Sequence, residues 1–84
     1  MLEGKRVAVV VPAYDEEQLV ADTLRGIPAF VDRIFVVDDA SRDATGERAS
    51  ELGDPRVEVV RHERNSGVGA AIATGYRRAL EEAI

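Results

Sequence analysis

The chain has 84 residues, with 16 Asp+Glu against 11 Lys+Arg for a formal net charge of −5, one histidine and no cysteine. That length holds one domain at most, and a chain of this size buries only about 60% of the surface its unfolded form exposes. Absent cysteine excludes disulfides, thiolate zinc sites and a catalytic thiol, the single His62 excludes an all-imidazole metal site, and the acidic balance argues against a nucleic-acid surface.

Arg6 to Val11 (RVAVVV) is a continuous β-branched run, the pattern of a strand buried on both faces, and Pro12 is expected to end it. Its apolar part, Val7 to Val11, falls far short of the roughly 20 residues that cross a bilayer. With no signal-peptide pattern ahead of it, a soluble, cytoplasmic protein is expected. A helix should follow: Asp15 and Gln18 have capping-box spacing, Leu19, Val20, Leu24 and Ile27 make an apolar stripe, and Gly26 and Pro28 stop it. The second unit pairs a strand over Arg33 to Asp38 with a helix that starts within Asp43 to Thr45 and runs to about Leu52, ahead of Gly53-Asp54-Pro55. The third pairs a strand over Val57 to Arg61 with a helix from Gly67 to the end. Periodicity there puts Ile72, Tyr76, Ala79, Leu80 and Ala83 on the apolar face. Arg77, Arg78, Glu81 and Glu82 fall on the other, where they are expected to serve solubility rather than stability.

Strand and helix alternating with short connections predict an α/β fold: three β-α units forming a short parallel sheet with helices on its faces, joined by right-handed crossovers. Residues 1–84 then make a single domain. Three strands are few for a parallel sheet, and if RVAVVV lay at an edge it would need cover, from further sequence or from another chain.

In open α/β sheets ligands collect outside the carboxyl ends of the strands, so three segments are candidates. Pro12-Ala13-Tyr14-Asp15-Glu16-Glu17 puts a ring and several carboxylates beside a helix start; the same acidic residues would also complement a helix dipole. Asp38-Asp39 sets two carboxylates side by side at a strand end, where a base edge or ribose could use them, although either Asp39 or Asp43 could equally be a turn or cap residue. Arg64-Asn65-Ser66-Gly67-Val68-Gly69 lets backbone amides approach an anion, or simply starts a helix. It lacks the third small residue of a dinucleotide fingerprint and the lysine of a P-loop. His62 has no nucleophile beside it in sequence and is expected to be structural or exposed.

In this order the segments VVVPAYDEE (Val9 to Glu17), VVDDASRDAT (Val36 to Thr45) and RNSGVGAAIATG (Arg64 to Gly75) resemble the start of family 2 glycosyltransferases with the GT-A fold. The similarity is strongest to the dolichyl-phosphate-mannose-synthase-like branch. The resemblance implies a nucleotide-sugar-binding part of a larger enzyme. By matching position, Pro12, Ala13, Tyr14 and Glu16 would contact the nucleotide, Asp38 and Asp39 the base and ribose, and Arg64, Asn65 and Gly67 the nucleotide side of the cleft. Many members carry lysine where this chain has Val68.

In that family a D-x-D motif after the fourth strand brings a divalent metal, Mg or Mn, to the donor's diphosphate, and an acidic base lies further on. This chain reaches Ile84, at about the end of the third helix. The expectation is therefore a UDP- or GDP-sugar binder with no catalytic residue, metal ligand or cofactor among these residues, inactive alone, with the metal belonging to the full-length enzyme. A different class of reading is a non-enzymatic assembly module, a homodimer paired through residues 6–11. A sugar nucleotidyltransferase would carry its Gly-rich loop after the first strand, where PAYDEE stands.

Overall fold

The computed structural model describes all 84 residues. Six elements follow in alternation: β1 (Ala8–Ala13), α1 (Val20–Arg25), β2 (Arg33–Asp38), α2 (Thr45–Glu51), β3 (Val57–Arg61) and α3 (Val68–Glu81). The strands form one parallel sheet in the order β1-β2-β3, so the expected α/β class and three-unit sheet are found. β2 is central, and Ile34, Phe35, Val36, Val37 and Asp38 are all fully buried.

Side chains alternate across a strand, and the register therefore sorts the sheet into two faces. Val9, Val11, Ile34, Val36, Val57 and Val59 share one face. There they pack with Val20 and Leu24 of α1, Ala49 of α2, Ala13 and Val31 in the main hydrophobic core. The other face, with Val10 beside Phe35 and Phe35 beside Glu58, is covered by α3.

β1 begins two residues later than the expected start at Arg6 and continues through Pro12 to Ala13. The carbonyls of Val7 and Ala13 accept from Arg33 and Asp39 on the β2 side. Alternation then points the backbone of Pro12 to the free edge, where a missing N–H removes no ladder bond. β1 is thus an edge strand, and its outer side is unpaired.

α1 departs from its expected start. Residues 16–19 form a turn, α1 begins at Val20 without a side-chain cap, and Leu19 is exposed. Asp15 adopts a left-handed φ of 51° and reaches away from Gln18, so the capping box does not form.

On α3 only Ala79 of the expected apolar face is buried. Ala71, Gly75 and Ala79 face the sheet, whereas Val68, Ile72, Tyr76 and Leu80 remain exposed. Steric room decides this: a Cβ at Gly75 would lie 2.3 Å from Val10 Cγ1, so only small residues fit where helix and strand touch. Arg78 and Glu82 also do more than face solvent. Glu58 accepts from Arg33 at 3.0 Å and Arg78 at 2.6 Å, and Glu82 accepts from Arg33 Nε at 2.9 Å. The Arg33 and Arg78 guanidinium groups lie 5.3 and 5.6 Å from the Phe35 ring centre, closing this face at the end of the sheet remote from the loops discussed next. No helix is long and apolar enough to cross a membrane.

Candidate functional site

The segments after β1, β2 and β3 meet at the carboxyl end of the sheet. The loop after β2 holds the loop after β1 by its backbone. Asp15 N–H donates to Ser41 Oγ at 2.9 Å, Glu16 N–H to Thr45 Oγ1 at 2.8 Å, and Glu17 N–H to Asp43 Oδ2 at 3.3 Å. In return the Asp15 carboxylate accepts from the Arg42 amide at 2.8 Å and from its guanidinium at 2.8 Å. These Arg42 contacts, the side-chain one first, hold the Asp15 carboxyl below its ordinary range. Asp43 is held low chiefly by the Thr45 hydroxyl. The Arg42 guanidinium also lies 5.9 Å from the Tyr14 ring centre, which restrains the ring beside the cleft. Ser41, Asp43 and Thr45 thus tie one loop to the other, a role their spacing did not reveal.

Adjacent residues at a strand end point to opposite faces, and the two aspartates part accordingly. Asp38 turns to the α2 side, where it accepts from Ser41 N–H at 2.9 Å and Arg61 at 2.5 Å. It lines a wide depression of about 470 Å³ with Gly46, Glu47, Ser50, Glu51, Val59 and Arg61. Asp39 turns to the α3 side. Its Oδ1 accepts from His62 Nδ1 at 2.8 Å and Ser66 N–H at 2.9 Å, and its Oδ2 from Gly67 N–H at 2.8 Å. The hydrogen bond from His62, followed by the backbone amides, outweighs burial and holds the Asp39 carboxyl below its usual range. Gly67 has φ +93°, a conformation that strains any other residue, and it turns the chain from the two amides that face Asp39 into α3.

Between these elements lies a cavity of about 160 Å³ lined by Pro12, Ala13, Tyr14, Glu16, Asp39, Val68 and Ala71. Five of the residues singled out from the sequence, Pro12, Ala13, Tyr14, Glu16 and Asp39, therefore converge. Gly67 adjoins through the hydrogen bond its N–H donates to Asp39 Oδ2. Asp38, Arg64 and Asn65 do not line the cavity. Val68, the position where many family members carry lysine, and Ala71 do line it; Ala71 looks like an ordinary helix residue and carries no signal of its own in the sequence. His62 and Thr74, joined at 2.8 Å behind Asp39, escaped for a different reason: only the packing of α3 on the sheet brings them together.

The arrangement is a small, partly apolar slot with an aromatic residue and an ionised carboxylate in its lining, at the loop end of a parallel sheet. It suits a planar ring that carries N–H or hydroxyl donors. The sequence profile described as Glycosyl transferase family 2 matches residues 8–84. An uncharacterized protein of Methanocaldococcus jannaschii is 43% identical over 75 residues, covering 88% of this chain and 30% of that protein. The UDP-N-acetylglucosamine–dolichyl-phosphate N-acetylglucosaminyltransferase of Methanococcus voltae is 30% identical over 95 residues, covering 95% of this chain and 38% of its own. Among solved structures, the mannosyltransferase PcManGT from Pyrobaculum calidifontis, in complex with GDP-Man and Mn²⁺, superposes with a TM-score of 0.79 at 28% identity, over 87% of this chain and 24% of that one. The chain therefore spans between a quarter and two fifths of the length of these relatives. A family profile that runs from β1 to the final residue, over a sheet whose loop ends meet in one slot, shows that the chain belongs to glycosyl transferase family 2, with dolichyl-phosphate-type relatives.

Proposed function

We propose that the chain is the nucleotide-binding unit of a glycosyltransferase that takes a UDP- or GDP-sugar donor, with the base seated in the slot between β1, β2 and α3. The observation that carries this reading is the convergence of Pro12, Ala13, Tyr14, Glu16 and Asp39 around one cavity. At about 160 Å³ the slot is well below the roughly 300–1,000 Å³ of pockets that enclose whole ligands, so it suits a base alone and leaves ribose and diphosphate outside. Asp39 supports the same reading. A carboxylate offers about four acceptor positions, three are filled from within, and the one remaining on Oδ2 can take a ring N–H.

The solved mannosyltransferase holds Mn²⁺ together with GDP-Man. The residues here do not fit such a metal, because no three His, Cys, Asp or Glu side chains converge. Asp38 and Asp39 turn to opposite faces and are bonded internally. Sugar transfer needs charge stabilisation on the departing diphosphate and a base for the acceptor hydroxyl. We therefore assign these 84 residues to donor binding, and transfer to an assembly that supplies those groups.

Calorimetric titration of the chain with GDP and with UDP, each with and without Mn²⁺, tests the proposal. Binding that depends little on the metal is expected, and no heat at millimolar nucleotide would remove the binding claim. The unpaired edge of β1 motivates the competing reading, pairing with a second copy through residues 6–11. Sedimentation at high concentration decides it, since a stable monomer excludes that pairing.

A further inference from the structure

We infer that His62 is a positioning residue: braced by Thr74, it holds the Asp39 carboxylate that forms part of the cavity wall and, through it, the Ser66–Gly67 turn. Its bearing on ligand rests on the nucleotide reading above.

Asp39 is an ionised acceptor, so the imidazole nitrogen facing it, Nδ1 at 2.8 Å, must carry the proton and donate. Nε2 lies 2.8 Å from Thr74 Oγ1, so it accepts the hydroxyl proton when the ring is neutral and donates to the oxygen when the ring is charged. Both nitrogens are thus used, and the ring is largely buried. The backbone of His62 is anchored as well, its N–H donating to the Asp38 carbonyl at 2.9 Å.

The ring joins three elements: the end of β2 through Asp39, the end of β3 through its own backbone, and the body of α3 through Thr74. Thr74 stands one turn after Ala71, and Ala71 and Val68 face Asp39 across the cavity. The imidazole therefore sets the separation between two walls of the slot. It also sets the rotation of the carboxylate. By filling Oδ1 together with Ser66 N–H, it directs the free acceptor position of Oδ2 toward ligand. Without the ring, Asp39 keeps the two amides but loses its side brace, and the body of α3 loses the tie that Thr74 makes to the strand ends.

The test compares the 84-residue chain with His62→Phe, which keeps ring shape but neither bond, His62→Asn, which keeps only the donor to Asp39, and Thr74→Val, which removes only the brace. Nitrogen-15 spectra of the imidazole should show Nδ1 protonated. In His62→Phe the Ser66 and Gly67 amide protons should move upfield and lose about tenfold in exchange protection, and the dissociation constants for GDP or UDP should rise about tenfold. The two milder variants should weaken binding about threefold each. Unchanged Ser66 and Gly67 amides in His62→Phe, or unchanged affinity where the parent binds, would overturn the inference. If His62→Phe does not fold, the same two outcomes in His62→Asn and Thr74→Val decide it. If the parent binds neither nucleotide, the nucleotide reading falls instead, and the amide signals alone decide the role of His62.

Discussion

Gly75→Ala should destabilise the protein, although alanine is the better helix former by about 1 kcal/mol. Gly75 lies mid-helix in α3 and faces β1. A Cβ there would stand 2.3 Å from Val10 Cγ1, 2.9 Å from Cγ2 and 3.1 Å from Cβ. Carbon atoms in contact prefer roughly 3.5–4.0 Å. Rotating Val10 does not solve the clash, because both methyl groups and the Cβ itself are too near. The helix must back away from the sheet by about 1 Å, and overpacking of this kind costs about 1–3 kcal/mol. Set against the propensity gain, the net loss is about 1 kcal/mol, or roughly 4–8 °C in melting temperature for a domain of this size.

Urea denaturation followed by far-ultraviolet circular dichroism measures this, and a double-mutant cycle isolates its cause. Val10→Ala removes both methyl groups and should cost about 1 kcal/mol by itself. In the double variant the new methyl at position 75 occupies the vacated space, so the combined loss should fall short of the sum by about 1 kcal/mol or more. If Gly75→Ala is more stable than the parent, or if the two changes simply add, the close approach of α3 and β1 is not what keeps glycine there.

Thr45→Val should cost about 1–3 kcal/mol and weaken nucleotide binding, because it leaves the Glu16 amide without its acceptor at 2.8 Å; matched stability and affinity would contradict the loop-tying role. Ala40 is held at φ 60°, so Ala40→Gly should raise the unfolding free energy measured in urea, by up to about 1 kcal/mol after the entropy glycine adds to the unfolded chain; a loss of stability would show that the methyl group makes a contact worth more than the strain. Asp15, Asp39 and Asp43 all titrate below their ordinary values. A lowered folded-state pKa adds stability that is complete above the unfolded value of about 3.9 and is lost as pH falls through the folded values. The urea midpoint should therefore fall as the pH drops below about 4, and Asp39→Asn should flatten part of that fall; an equal fall in the variant would remove Asp39 from the account.

The sequence by itself determined the class of this protein. Short aliphatic strands alternating with helices admit one topology readily, because short connections and right-handed crossovers leave a parallel sheet as the natural way to bury such strands. β2 and β3 lie where their β-branched runs place them, and the three motifs mark the strand ends that meet at the site. Local patterning failed where the deciding contact is distant in sequence. Periodicity assigned Ile72, Tyr76 and Leu80 to the buried face of α3, yet the close approach to Val10 admits only Ala71, Gly75 and Ala79 there. Asp15 has cap spacing, but Arg42 draws it elsewhere. Asp38 and Asp39 are alike as a sequence pair. Strand alternation sends one to α2 and the other to the cavity, and only tertiary packing then closes His62 and Thr74 behind the second.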